Sequence, residues 1–129
     1  MAKDIMHRDR ATDLGVVRIN NNAIMVIASI AAMEVRGVHR IGGGLRRTLI
    51  DVLKKPGTKG VRIEMKENDV KLTISIVVEY GVDIPRIADE VQENVKRAVE
   101  KMTGLALSEV DVVVESVNLP ASAQKEKNG

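Results

Sequence analysis

Hydrophobic and polar residues alternate along Val70–Glu79, and the spacing then changes to that of a helix. Over these ten residues every second side chain is apolar, a period of two that is typical of a strand with one buried face. Gly81 ends the alternation, and apolar residues then recur at intervals of three and four along Ile84–Met102. Pro85 suits the first turn of that helix, and Thr103–Gly104 suits its C-cap. The pattern therefore predicts a strand, a turn and a long amphipathic helix.

The same periodicities predict the elements on either side of this unit. Strands are predicted at Gly15–Ile19, at Val61–Met65 and within Leu105–Leu119, and helices at Ala23–Arg36 and Leu45–Lys55. Asn20–Asn22 offers an N-cap for the first helix, and Gly37 is predicted to end it. Val38–Gly44 contains three successive glycines, as some phosphate-binding loops do. The Lys that follows the last Gly in one such loop, and the final Gly of the other, are absent here, so we predict a hinge instead. Glu67–Asp69 is predicted to be a tight turn within a hairpin.

The element order β-α-(α)-β-β-α-β predicts an α+β two-layer sandwich, with a small sheet of three to four strands and helices on one face. Both a ferredoxin-like arrangement and compact αββαβ modules fit this order. Three parts are predicted along the chain: a flexible arm at 1–13, a single domain at 14–120 and a disordered tail at 121–129.

Composition argues against several classes of chemistry. The chain has no Cys, Phe or Trp and one Tyr, so disulfides, thiolate metal sites and Cys nucleophiles are excluded. His7 and His39 are far apart in the sequence, and neither predicts a metal site. We therefore expect no catalytic residue, no metal and no cofactor. The longest apolar run, Ala23–Met33, has eleven residues, whereas a bilayer-spanning helix needs about 20. A cytoplasmic protein is expected.

Charge is distributed unevenly. Residues 36–62 contain eight cations and one anion, a net charge of +7, whereas the rest of the chain has a net charge of −5. A basic face of this kind is a candidate contact for an anionic lipid surface or another partner. The candidate contact residues are Arg40, Arg46, Arg47, Lys54, Lys55 and Lys59.

The helix predicted at Ala23–Arg36 is apolar on nearly every side. A helix of this kind is buried on more than one side. Either it lies beneath both the sheet and the basic segment, or part of it meets another subunit. Met25, Ile30 and Met33 lie away from the main apolar face and are the candidate self-association residues.

Several short motifs resemble the alkaline-shock, or general-stress, family of bacteria. They are Gly15–Ile19 before the first helix, the VVEYG of Val77–Gly81, the VQENV of Val91–Val95, the MTGL of Met102–Leu105 and the VDVVV of Val110–Val114. The resemblance covers about residues 14–120. It implies a non-enzymatic cytosolic protein that associates with itself and its relatives, often near the inner membrane face through a membrane-anchored partner. It also implies a link to envelope stress or lipid homeostasis. The GGG of Gly42–Gly44 and the basic middle segment depart from the family pattern.

Two functions follow as hypotheses. The first is a homo-oligomeric scaffold that acts through protein contacts at or near the cytoplasmic membrane face, with peripheral contact to anionic lipid. The alternative is a K-homology-like nucleic-acid-binding module that uses the basic segment 36–62, because Gly57–Gly60 has the GxxG spacing of that clamp. Tyr80 is the only aromatic side chain available for base stacking, which weakens the alternative.

Overall fold

Helices and strands alternate along the part of the chain that the structure describes. The structure is a computed structural model and describes residues 9–43, 60–67 and 69–121. In chain order the elements are β1 (Asp9–Thr12), β2 (Gly15–Arg18), α1 (Asn21–Met33), β3 (Val38–Ile41), β4 (Val61–Lys66), β5 (Asp69–Glu79), α2 (Ile84–Thr103) and β6 (Glu109–Asn118). Two helices share one core with a sheet of four strands, so the predicted α+β class is confirmed.

The sheet is built around β5, its longest strand. β6 runs parallel to β5 along one edge, while β4 and β3 both run antiparallel to it. β4 pairs with the first half of β5 and β3 with the last part, and they meet at Ser75. The Ser75 carbonyl accepts a hydrogen bond from the Gly42 N–H at 2.8 Å, and the Ser75 N–H donates to the Gly60 carbonyl at 2.8 Å. The backbone N–H and C=O of one strand residue point to the same side of the strand, so β3 and β4 pair along the same edge of β5. Together they form one edge strand that is interrupted by residues 44–59 of the sequence.

Close packing at this break requires glycine at position 60. A Cβ on Gly60 would collide with the Ile41 side chain and lie 2.8 Å from the Gly42 carbonyl oxygen. A Cβ on Gly42 would lie 2.7 Å from Oε2 of Glu115, the residue that a bulge in β6 leaves without a partner on β5. The same Oε2 accepts a hydrogen bond from the Gly43 N–H at 3.3 Å. Packing within the sheet therefore explains Gly60, whereas at Gly42 the flexible Glu115 side chain could move aside.

Helix α2 forms where its pattern predicts it. Asp83 caps the N-terminus by accepting from the Arg86 N–H at 3.4 Å, and Gly104 ends the helix with φ of 78°. Its apolar stripe is almost completely buried and consists of Ile87, Val91, Val95 and Val99. This stripe packs in the same core as the inward side chains of β5, which are Val70, Leu72, Ile74, Ile76 and Val78.

Helix α1 begins at its predicted cap but ends early. The Asn20 side chain accepts a hydrogen bond from the Asn22 N–H at 2.8 Å, as the sequence predicts. The C-cap is Glu34, so the prediction that the helix runs to Arg36 and ends at Gly37 is wrong. Gly37 instead has φ of 107° in the turn into β3.

Two further differences concern short strands. Asp9–Thr12 belongs to the predicted arm but pairs with β2, and Val38–Ile41 belongs to the predicted hinge but pairs with β5. β2, which the sequence places in the main sheet, pairs with β1 in a separate hairpin. The four strands of the main sheet are β3, β4, β5 and β6. The helix predicted at Leu45–Lys55, residues 1–8 of the arm and residues 122–129 of the tail lie outside the described residues.

Candidate interaction surface

Helix α1 has two apolar stripes on opposite sides. The inner stripe is buried in the core and includes Ile24, Ala28 and Ala31. The outer stripe repeats with spacings of three, four and three residues and consists of Ala23, Val26, Ile30 and Met33. The exposed fraction is 57% for Ile30 and 44% for Met33. Soluble helices usually present charged residues on their outer side, but α1 contains none between its first and last residue.

The structure separates the three residues predicted to support self-association. Ile30 and Met33 lie on the outer stripe, where their side chains face solvent. Met25 is half-buried and packs against the core, so much of its side chain is engaged within the fold. Ala23 is exposed and Val26 is half-buried, and they extend the outer stripe toward the start of the helix.

The β1–β2 hairpin is a second exposed apolar element. Each residue from Thr12 to Arg18 is exposed, and Leu14 in the turn is fully so. The turn is held by the Thr12 hydroxyl, which donates to the Gly15 carbonyl and accepts from the Leu14 N–H, both at 3.1 Å. Val16 and Val17 are neighbours on one strand and point to opposite faces, yet both are more than half exposed. Neither face of this strand therefore rests on the body of the domain.

Only one of the predicted basic contact residues lies in the described part of the chain. Arg40 is half-buried on β3, and its guanidinium donates to the Ile41 carbonyl at 3.2 Å. The other candidates are outside the described residues, so their role as a contact for anionic lipid or a partner stays a prediction. They are Arg46, Arg47, Lys54, Lys55 and Lys59.

Three strands are joined by polar side chains at the end of β5. The Glu79 carboxylate lies 3.1 Å from Nδ1 of His39 on β3 and accepts a hydrogen bond from the Asn118 side chain of β6 at 3.1 Å. The Asn118 bond, followed by the His39 contact, lowers the pKa of Glu79 below its ordinary value. This cluster ties β3, β5 and β6 together, and it accounts for His39 without a ligand.

A groove of about 380 Å3 lies between the end of α1 and the outer side of α2. It is lined by Glu34, Val35, Arg36, Glu90, Glu93, Asn94 and Arg97. Asn94 crosses the groove floor by donating to the Ala31 carbonyl at 2.7 Å, which satisfies an open end of α1. Carboxylates and guanidinium groups alternate here, and the lining contains no hydroxyl, thiol or imidazole that could act as a nucleophile.

The described residues form neither a metal-binding cluster nor a membrane-spanning helix. Within 9–43, 60–67 and 69–121, there is no cluster of three His, Cys, Asp or Glu side chains that could hold a metal ion. None of the helices in those same ranges has the length and apolar character needed to cross a bilayer.

Gly60 is the described glycine of the GxxG pattern on which the nucleic-acid hypothesis rests. Its carbonyl accepts a hydrogen bond within the sheet, and its missing Cβ makes room for Ile41. Strand packing therefore explains this glycine without a phosphate ligand, and the alternative function is not favoured.

The strand predicted at Gly15–Ile19 is present as β2, but sequence reasoning missed its partner β1 and therefore the hairpin. A signal was present, because Thr12–Gly15 places Asp13 and Gly15 in a short polar interruption before a β-branched run. The alternation of apolar and polar residues did not reveal the hairpin, since Val16 and Val17 are adjacent apolar residues and both are exposed.

The fold defines a small two-layer α+β domain whose described N-terminal third carries exposed apolar residues. A family model for the alkaline-shock protein 23 family, described as having a cell envelope-related function, matches residues 9–119. The chain therefore belongs to the alkaline-shock protein 23 family, as its motifs suggest.

Two bacterial proteins and one solved structure are among those similar to the chain. The uncharacterized protein YqhY of Bacillus subtilis strain 168 is 33% identical over 120 residues, which cover 92% of this chain and 87% of that protein. A stress response regulator gls24 homolog of Streptococcus pyogenes is 29% identical over 115 residues, covering 88% of this chain and 64% of that protein. Among solved structures, MamM-CTD 215-293 is 18% identical with a TM-score of 0.47, covering 75% of this chain and 99% of that chain.

Proposed function

We propose that the protein is a non-enzymatic scaffold of the stress response that acts through protein contacts. It works in the cytoplasm, at or near the inner face of the cell membrane, and contributes to envelope or lipid homeostasis. The envelope-related description of the family and the stress-response name of a relative support this proposal. The observation that carries it is the exposed apolar surface of two successive elements, the β1–β2 hairpin and the outer stripe of α1.

The hairpin supports a binding role on energetic grounds. A two-stranded hairpin is only marginally stable in water by itself, because it lacks a face that can be buried. Here both strands are four residues long, and the apolar side chains of Leu14, Val16 and Val17 remain in solvent. Covering them with a partner would stabilise the hairpin and remove apolar surface from water at the same time.

A protein partner fits the hairpin better than direct insertion into a membrane. The fully exposed Leu14 has Asp13 beside it in the turn, and a carboxylate opposes entry into an anionic lipid surface. Along the sequence of the hairpin and its turn, two acidic residues, Asp9 and Asp13, are matched in number by two basic residues, Arg10 and Arg18. The hairpin is therefore neutral overall and lacks the basic charge that attracts such surfaces.

Site-specific photocrosslinking tests the proposal. A photoreactive residue is placed at Leu14 or at Ile30 of the full chain in cells that produce it, with Lys101 on the exposed side of α2 as the matched control position. We expect protein adducts from the first two positions and not from the third, with the adducts enriched in the membrane fraction. Adducts that form equally at Lys101, or at none of the three positions, would refute the proposal.

A further inference from the structure

The outer stripe of helix α1 has a residue spacing and a gradient of side-chain size that suit pairing with the same stripe of a second copy. We propose that the outer stripe is a two-fold, antiparallel helix–helix interface between two copies of this chain. This inference rests on the proposed scaffold function and specifies the partner of the same surface. The four residues of the stripe, Ala23, Val26, Ile30 and Met33, follow the 3-4-3 spacing with which one helix inserts side chains into another.

The size of the stripe residues selects a second copy in the antiparallel direction. Side-chain volume rises from Ala23 at one end to Ile30 and Met33 at the other. In an antiparallel pair, Ala23 faces Met33 and Val26 faces Ile30, so each layer combines a smaller with a larger side chain. A parallel pair would place two alanines at one end and two methionines at the other, which would force the helices apart.

Charge also favours a self-complementary contact. A two-fold interface brings each patch against the same patch, so any charge near the axis would meet a like charge. The thirteen residues of α1 contain no charged side chain, and this repulsion is therefore absent. A different protein partner would more often be selected through complementary charges, which this stripe does not provide.

Burial of the stripe would cost little in lost hydrogen bonds. The polar residues on the outer half of the helix are Asn22, at its first turn, and Ser29, whose hydroxyl already donates to the Met25 carbonyl at 2.8 Å. A hydroxyl that is satisfied within its own helix does not need water when a partner covers it.

The area predicts a weak dimer. Ile30 and Met33 each expose on the order of 100 Å2 and Ala23 and Val26 expose less, so the stripe supplies roughly a third of the ~800 Å2 per partner that is usual for a stable complex. The exposed Leu14, Val16 and Val17 of the hairpin precede α1 in the chain and are a further apolar surface of the same domain. We expect a dimer whose population depends on concentration in the micromolar range.

Disulfide trapping tests both the partner and the direction. The chain has no Cys, so single cysteines can be introduced without a background. Antiparallel pairing predicts that an equimolar mixture of Val26→Cys and Ile30→Cys forms disulfide dimers several-fold faster than either variant alone. Faster trapping of each variant with itself would indicate parallel pairing and would overturn the inference.

A charge substitution tests the same surface without cross-linking. Ile30→Glu should raise the dimer dissociation constant at least tenfold in analytical ultracentrifugation, while Met102→Glu on the exposed side of α2 should leave it unchanged. A purified chain that stays monomeric at several hundred micromolar, or a dimer that Ile30→Glu leaves intact, would overturn the inference. If photoadducts to other proteins still form at Ile30 in that case, the proposed scaffold function survives and only the identity of the partner is wrong.

Discussion

Two isoleucines on the same helix provide a matched test of the two-stripe description of α1. Ile24 is completely buried in the core, whereas Ile30 is 57% exposed on the outer stripe. The same substitution, Ile→Ala, removes three carbons at either position. At Ile24 the lost transfer free energy is about 2.5 kcal/mol at ~0.8 kcal/mol per methylene. The cavity that remains brings the expected loss of unfolding free energy to about 3–4 kcal/mol.

At Ile30 the same truncation should change little in the monomer. Much of the side chain is already in water, and alanine is the better helix former by a few tenths of a kcal/mol. We therefore expect a change within about 1 kcal/mol in either direction. Urea unfolding followed by circular dichroism, at a concentration low enough to keep the chain monomeric, gives both values. With a urea dependence of about 1–3 kcal/mol per molar, Ile24→Ala should lower the midpoint by roughly 1–4 M.

The outcome bears directly on the candidate surface. If Ile30→Ala were as costly as Ile24→Ala, the outer stripe would be covered within one chain, and it could not be a contact surface. If Ile24→Ala cost less than about 1 kcal/mol, the inner stripe would not be packed as described.

Three other predictions concern the sheet and the loop after α2. The pKa of Glu79 is lowered in the folded state, so its contribution to stability is present above the ordinary value of 4.5 and is lost as the pH falls through the lowered pKa. Glu79→Gln should therefore reduce the pH dependence of the urea midpoint on the acid side; an unchanged slope would mean that the bond from Asn118 does not form in solution. Gly60→Ala should destabilise the fold by about 1–3 kcal/mol in urea unfolding, since its Cβ would collide at the break in the edge strand, and a neutral result would contradict that packing. Glu100 accepts from the Leu107 N–H at 2.8 Å, so Glu100→Gln should speed hydrogen exchange at that amide more than in the core of α2, whereas equal protection would argue against the bond.

Long elements could be predicted because their patterns repeat many times. The alternation within β5 and the helical spacing of α2 extend over ten residues or more, and capping residues mark both ends of α2. β1 and β3 are four residues long and contain only one and two apolar residues, too few for either period to be recognised, whereas β2, of the same length, is predicted by its two adjacent valines. β3 is a strand because β5 offers it an open edge, which is a tertiary cause that local sequence does not contain.

The candidate surface could be predicted only in part, for a related reason. The excess of apolar residues in α1 correctly indicated that the helix has more than one apolar side. Which residues belong to which side depends on how the helix is rotated against the sheet, and this rotation places Met25 toward the core but Ile30 and Met33 toward solvent. The sequence predicts β2 of the hairpin but not its partner β1, and the exposed side chains of β2 show no periodicity of burial.

The position of the exposed elements suggests how the fold separates stability from binding. The core is formed mainly by the β5–α2–β6 unit together with the inner stripe of α1. In the N-terminal third, exposed apolar residues lie on the β1–β2 hairpin and on the opposite side of α1, where they add little to that core; others, among them Met102 and Val113, lie singly on α2 and β6. Substitutions on these surfaces can therefore alter partner binding without unfolding the domain, because the side chains that fill the core are different ones. α1 is the exception, since its inner stripe holds the fold while its outer stripe is available for a partner, and it is the element through which binding and stability would be coupled.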